Sequence, residues 1–252
     1  LYGIKVTRAG GEYGGAAAPR EDKGAIDGRF ELVEVAAGVP GALLQAQSEA
    51  GGVTEFARPE DGQWDTVNPR VFYFATTGAA IGRPQSARLY KLSFDSLSRP
   101  TGGRIEPVID SADMLGTDGE RARSFDNLTV DGDGKLIVQE DPGGAYLAKV
   151  WKIDPATREY AQIFVSDRER FLPDGSNYLT REEENSGVIE VTGIVEHASW
   201  YEPGRRYFLG ATQAHYRLPG ELVQGGQLYL MASPAGALGK PEKRFGRPRR
   251  TC

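Results

Sequence analysis

The chain has 252 residues, ordinary apolar (39%) and charged (26%) content and a formal net charge of −5, which leaves its body without the basic surface that nucleic acid requires. The one cysteine is the last residue, Cys252, so an internal disulfide and a cysteine-rich zinc site are excluded. No apolar run approaches the roughly 18 residues of a membrane helix, and 33 glycines with 15 prolines favour many short strands over long helices.

The chain opens at Leu1 without methionine or a charged-then-apolar leader. This fits a fragment or removal of a targeting segment, with a secreted, periplasmic or organelle-lumen location on the latter reading. Residues 1–6 and 29–35 read as a first pair of strands across a Gly-rich loop. Residues 42–50 suit one helical insertion. Stretch 56–65 reads as a shaped turn: Pro59 fixes φ, Gly62 frees it, and Trp64 can anchor the turn to a core. Apolar runs at 71–76, at 127–130 with 136–138, and at 207–209 read as strands. After them come strand pairs at 88–92 with 104–109 and at 149–153 with 159–164, and a last strand at 227–231. Tyr2, Tyr90, Trp151 and Tyr229 mark the second or third place of these hairpins. Segment 166–187 is a polar insertion.

Short antiparallel strands in repeated groups predict an all-β fold, a β-propeller of about five to six blades with loop and helical insertions. It would occupy residues 1–232, with a basic extension over 233–252. A β-sandwich with Greek-key links is the alternative. The extension carries Lys240, Lys243, Arg244, Arg247, Arg249 and Arg250 against Glu242, and suits a solvated tail or a strip for an acidic partner.

Three acid clusters share a strand-end placement: Glu60-Asp61, Glu140-Asp141 and Glu182-Glu183-Glu184. Gln213 and His215 form a fourth polar site. In a propeller, strand ends from separate blades meet at one mouth of the channel. Gathered carboxylates repel one another, and a bound cation relieves the repulsion. Asp131-Gly132-Asp133-Gly134-Lys135 resembles half a calcium loop, but the twelfth position is Pro142 rather than Glu, so it reads as a hairpin turn. His197 has no partner at ligand spacing. Nucleophile-elbow, phosphate-loop and dinucleotide motifs are absent.

The run Phe56-Ala57-Arg58-Pro59-Glu60-Asp61-Gly62-Gln63-Trp64, followed in order by Phe72 to Thr77, Asp126-Asn127-Leu128-Thr129-Val130, Leu136 to Asp141, Glu184-Asn185-Ser186-Gly187, Gln213-Ala214-His215 and Gly225 to Leu228, resembles the PhoX family of calcium-dependent alkaline phosphatases and their uncharacterised relatives. The resemblance spans about residues 1–231. It implies a propeller with a metal cluster at its channel mouth, calcium with iron as cofactors, and hydrolysis of phosphate monoesters. It implies Glu60, Glu140 and Glu184 as ligands, with Asp61, Asp141 and Gln213 beside them, and Glu60, Glu140 and His215 as the catalytic groups. The chain departs from the family in Ala211-Thr212, where relatives often carry an acid. A non-catalytic propeller, serving as scaffold or extrinsic subunit of a larger protein assembly, is the rival reading.

Overall fold

Runs of β-branched and aromatic residues build the strands, 45% of the structure, because such side chains pack well on a pleated surface covered on both faces. A computed structural model describes residues 1–7, 12, 24–78, 86–220, 223–236 and 238; most of the basic extension and the loops around 8–23 and 79–85 lie outside the described residues. The strands are β1 (Tyr2–Val6), β2 (Gly28–Glu34), β3 (Pro59–Trp64), β4 (Val71–Thr76), β5 (Arg88–Phe94), β6 (Gly102–Asp110), β7 (Phe125–Val130), β8 (Leu136–Glu140), β9 (Lys149–Ile153), β10 (Tyr160–Val165), β11 (Glu183–Glu190), β12 (Arg205–Arg217) and β13 (Gln224–Pro234). The expected helix is α1 (Gly41–Gly51), which follows Pro40, buries no residue and stops at Gly52 with φ 71°. Two short helices, α2 (Arg168–Phe171) and α3 (Thr192–Val195), complete the elements used below. None of the described helices is long and apolar enough to cross a membrane.

The fold is all-β, in three antiparallel sheets. Their strand orders are β1-β2-β6-β5-β4-β3, β10-β9-β8-β7 and β11-β12-β13. The first sheet curls into a half-barrel. Its concave side holds Phe30, Phe74, Tyr90, Leu92 and Ile105. Its other side presents Val71, Tyr73, Ala75 and Leu89 to Leu128, Val130, Leu136, Val138, Trp151 and Ile153 of the second sheet. The second sheet's far face, through Ile137 and Val150, meets Val188, Phe208 and Met231 of the third. The sheets therefore stack in chain order, and one edge strand of each touches the next, β3 against β7 and β7 against β11.

The Asp131–Lys135 segment is the hairpin turn between β7 and β8. Asp131 N–H donates to the Lys135 carbonyl at 2.8 Å, the Asp131 carboxylate accepts from the N–H groups of Asp133 and Lys135, and Gly134 sits at φ 74°, the left-handed backbone that glycine takes without cost. Two other readings change. Stretch 56–65 is no free turn: most of it is β3, hydrogen-bonded to β4. Trp64 stays about half exposed (47%), yet its ring packs on Phe72 and Phe94. The third acid run already belongs to a strand, since β11 begins at Glu183. Its inward residues there, Glu183 and Asn185, are polar, so a search for apolar alternation starts the strand too late.

Candidate functional site

The same irregularity recurs in β3, β7 and β11. Pro59 pairs with Thr76 and Gly62 with Phe74, so Glu60 and Asp61 together face Ala75. Phe125 pairs with Glu140 and Leu128 with Val138, so Asp126 and Asn127 face Gln139. Asn185 pairs with Thr212 and Val188 with Gly210, so Ser186 and Gly187 face Ala211. Each is a β-bulge, one extra residue that twists the strand and re-aims its side chains. By register, Glu60, Asp126 and Ser186 are equivalent, and so are Thr77, Asp141 and Gln213 on the neighbouring strands.

The second bulge residue ties each edge strand to the next. The Asp61 carboxylate accepts from Leu128 N–H at 3.1 Å, and the Asn127 side-chain oxygen accepts from Gly187 N–H at 3.0 Å. Two residues before the first two bulges, Arg58 and Ser124 take φ of 58° and 45°. Left-handed backbone in residues other than glycine costs about 1–3 kcal/mol and persists where its surroundings hold it. Here Thr77 N–H donates to the Arg58 carbonyl and Asp141 N–H to the Ser124 carbonyl, both at 2.9 Å.

This scaffold brings carboxylate oxygens of Asp126, Asp141 and Glu184 to within 4.8 Å of one another. They come from β7, from the residue after β8 and from β11. All three are partly buried, and no described residue donates a hydrogen bond to Asp126. Burial, then the charges of Glu60 and Asp141, push the Asp126 carboxyl up to about 6, against the pull of Arg58. Glu184 is also raised, first by burial and then by Asp141; the His215 imidazole opposes the shift. His215 Nε2 lies 3.8 Å from Glu184 Oε2. A cavity of about 290 Å³ opens beside the triad, lined by Asp141, Gly143, Glu182, Glu183, Glu184 and His215. Glu183 closes its floor, almost fully buried. One of its oxygens accepts from Ala148 N–H, and burial raises its carboxyl to about 7.

Of the acids read from the sequence, Asp141 and Glu184 enter the triad. Glu60 borders it: its carboxylate accepts from the Thr77 hydroxyl at 3.1 Å and pairs with Arg58 at 3.4 Å, and its charge bears on Asp126. Asp61 is occupied by backbone N–H groups of Gly62 and Leu128, which makes it a positioning residue. Gln213 pairs with Glu184 across β11 and β12, and its amide contacts Gln224.

Glu140 is the correction. It is fully buried and accepts from Trp151 Nε1–H (2.8 Å), Arg123 N–H (3.0 Å) and Lys149 N–H (3.1 Å). Successive strand residues point to opposite faces, and register aligns Glu140 with the buried Thr76 and Thr212. Neither the ligand role nor the catalytic role given to Glu140 fits that interior position. Asp126 is the residue that sequence reasoning passed over as a ligand. Its signal was positional: Asp126-Asn127 opens a strand segment, Leu128-Thr129-Val130, as Glu60-Asp61 opens Gly62-Gln63-Trp64.

The donors are carboxylate oxygens with one imidazole alongside, the set that a hard divalent cation takes. No family model, no curated protein and no solved structure matches the chain.

Proposed function

We propose that the chain is a PhoX-like β-propeller that gathers carboxylates from β7, from the end of β8 and from β11 around calcium, and that phosphate monoesters are hydrolysed there. The observation that carries this reading is the meeting of Asp126, Asp141 and Glu184 within 4.8 Å from three separate segments. Stacked meanders with touching edge strands and a recurring bulge support the propeller. Like charges brought together with few donors, one N–H on Asp141 and none from a described residue on Asp126, support a cation, because a carboxylate cluster left alone opposes its own ionisation.

Asp126, Asp141 and Glu184 would hold the ion, and Glu60 would border it. Calcium is preferred because the donors are oxygens; iron beside it would have His215 as its nitrogen donor among the described residues. Bound calcium supplies charge neutralisation and orientation for phosphate oxygens. Water would form the new bond to phosphorus as the ester P–O bond breaks, and His215, facing the same cavity, is the group placed to give a proton to the departing alcohol oxygen.

The rival reading, a scaffold or subunit that binds calcium without turnover, draws support from an open apolar face on the third sheet. Calcium titration followed by melting, together with hydrolysis of p-nitrophenyl phosphate, decides between them. A calcium-dependent rise in melting temperature with turnover is expected, since a ligand of the folded state stabilises it. A rise without turnover favours the scaffold, and no rise removes both cation readings.

A further inference from the structure

We infer that Glu12 is a positioning residue for the edge of the acid site, a buried carboxylate that fastens the chain ahead of β3 and so holds Glu60 beside the triad. Glu12 belongs to the connection between β1 and β2 and is fully buried. Its carboxylate accepts from Ala57 N–H at 2.8 Å, from the Tyr90 hydroxyl at 2.9 Å, from the Arg88 guanidinium at 2.8 Å and from the Thr76 hydroxyl at 3.4 Å. Ala57 is the residue before the left-handed Arg58. The carbonyls of the same two residues accept from Gly78 N–H at 3.0 Å and Thr77 N–H at 2.9 Å. Ala57-Arg58 is thus held from both sides. Glu60, two residues on, reaches the Thr77 hydroxyl.

The second sheet repeats the arrangement. Arg123 N–H, also one residue before a left-handed position, Ser124, donates to Glu140. Register makes Thr76 equivalent to Glu140, since each pairs with the residue just before a bulge, Pro59 or Phe125. It makes Tyr90 equivalent to Trp151 through their partners Phe74 and Val138, and both rings donate to the carboxylate. Arg88 and Lys149, two residues earlier, are both buried cations. What differs is the origin of the acid. β8 carries its own, Glu140, whereas β4 carries the shorter Thr76, and Glu12 fills the place from 64 positions away. The third sheet shows why a carboxylate is needed. β11 keeps its register to Glu183, and none of its residues before the bulge is left-handed. The equivalent position there is Thr212, whose hydroxyl donates to Asn185. The carboxylate acceptor therefore occurs where the chain leaves the ladder and frees a buried N–H, which is costly to leave unbonded. An acid brought to that place acts on whatever the turn carries, and in the first sheet the turn carries Arg58 and Glu60.

The test is amide hydrogen exchange of the full chain, followed by NMR with a chelator present and with melting measured alongside. In Glu12→Ala, Thr77 and Gly78 should exchange about tenfold faster or more relative to the amides of β8 and β9, the worth of one hydrogen bond to a charged group. Thr76→Glu by itself crowds two carboxylates into the core and should lower the melting temperature. Combined with Glu12→Ala it should restore both protection and melting temperature, because it supplies the acid from β4 as Glu140 does from β8. If Glu12→Ala does not fold, folding of the double variant is the same rescue. Glu12→Gln, which keeps the size and one acceptor oxygen, then shows the exchange pattern in milder form. Protection at Thr77 and Gly78 that stays at the wild-type level, or that Thr76→Glu fails to return, overturns the proposal. Its consequence for the cation rests on the function proposed above. Glu12→Ala should weaken calcium binding about threefold or more, since Glu60 is no longer held where its charge adds to the attraction. Unchanged binding would strip Glu12 of its positioning role. A wild type with no calcium-dependent rise in melting temperature sinks the cation reading alone, and the exchange pattern still decides for or against Glu12.

Discussion

Glu140 and Asp141 leave β8 on opposite faces, and their surroundings could hardly differ more. Glu140 has three N–H donors and a cationic neighbour in Lys149. Asp141 has one N–H, from Gly143, and looks onto Asp126 and Glu184. Burial raises the Glu140 carboxyl to about 7 against its donors. Asp126 reaches about 6 with no donor among the described residues, through burial and the charges of Glu60, Asp141 and Asp61. An acid whose oxygens are all used by the fold is a structural element. An acid held among other acids, with oxygens to spare, is where a cation gains most.

The sharpest way to break this contrast is to remove both members in turn. Glu140→Leu should destabilise the chain by about 3 kcal/mol or more, since the buried Lys149 N–H and Trp151 Nε1–H and the half-buried Arg123 N–H lose their acceptor and each buried unsatisfied group costs about 1–3 kcal/mol. Urea denaturation measures this. An unchanged midpoint would mean that Glu140 does not hold β7, β8 and β9 together. Asp126→Asn should do the reverse. It removes a repelled, half-buried charge, so the chelated protein keeps or gains stability. The calcium-dependent rise in melting temperature should vanish, a loss of about 2.7 kcal/mol where calcium stands at a hundred times its dissociation constant. Persistence of the full rise in Asp126→Asn would take the cation away from the triad.

How much of this was legible follows from the same pair. The strands at 71–76, 88–92 and 149–153 show in the sequence as short runs of apolar and aromatic residues rather than as alternation, because both faces of those strands are covered. Acid clusters at strand ends show as well. Which of two adjacent acids faces the cavity does not show, since it depends on parity set by the bulges at Glu60-Asp61, Asp126-Asn127 and Ser186-Gly187. A slip of one residue exchanges the faces. The triad therefore keeps Asp141 and Glu184, exchanges Glu140 for Asp126, and turns Asp61 into a strand tie.

Acidity gives a milder test of the contrast. The Asp126 carboxyl is raised above the ordinary value of about 3.9 to about 6, so between those values the folded state binds the extra proton. Stability contributed this way is complete below the lower value and is lost as pH rises through the upper one. Glu140 and Glu183, both raised to about 7 by burial, act with the same sign and carry the decline further. The melting temperature in chelator should thus fall from mildly acidic to neutral pH. Calcium should flatten the part due to Asp126, because the ion favours the charged form. In Asp126→Asn the fall should be shallower near pH 6 and independent of calcium. A melting temperature that climbs across this range would contradict the raised carboxyls.

The smallest expected effect separates placing a ligand from being one. Asn127 hydrogen-bonds to none of the three acids of the triad; its side-chain oxygen holds Gly187 N–H, and with it the bulge that follows Glu184 on β11. Asn127→Ala should cost about 1 kcal/mol, the usual worth of one such bond. Its other consequence is specific. With the β7–β11 tie gone, Glu184 is no longer fixed against Asp126 and Asp141, so calcium affinity should drop while all three carboxylates remain. Asn127→Asp keeps an acceptor for Gly187 N–H and should restore the affinity, because it restores the tie. If Asn127→Ala lowers stability and leaves the calcium titration unchanged, the triad is held by the core beneath it, and the bulges are a feature of strand twist alone.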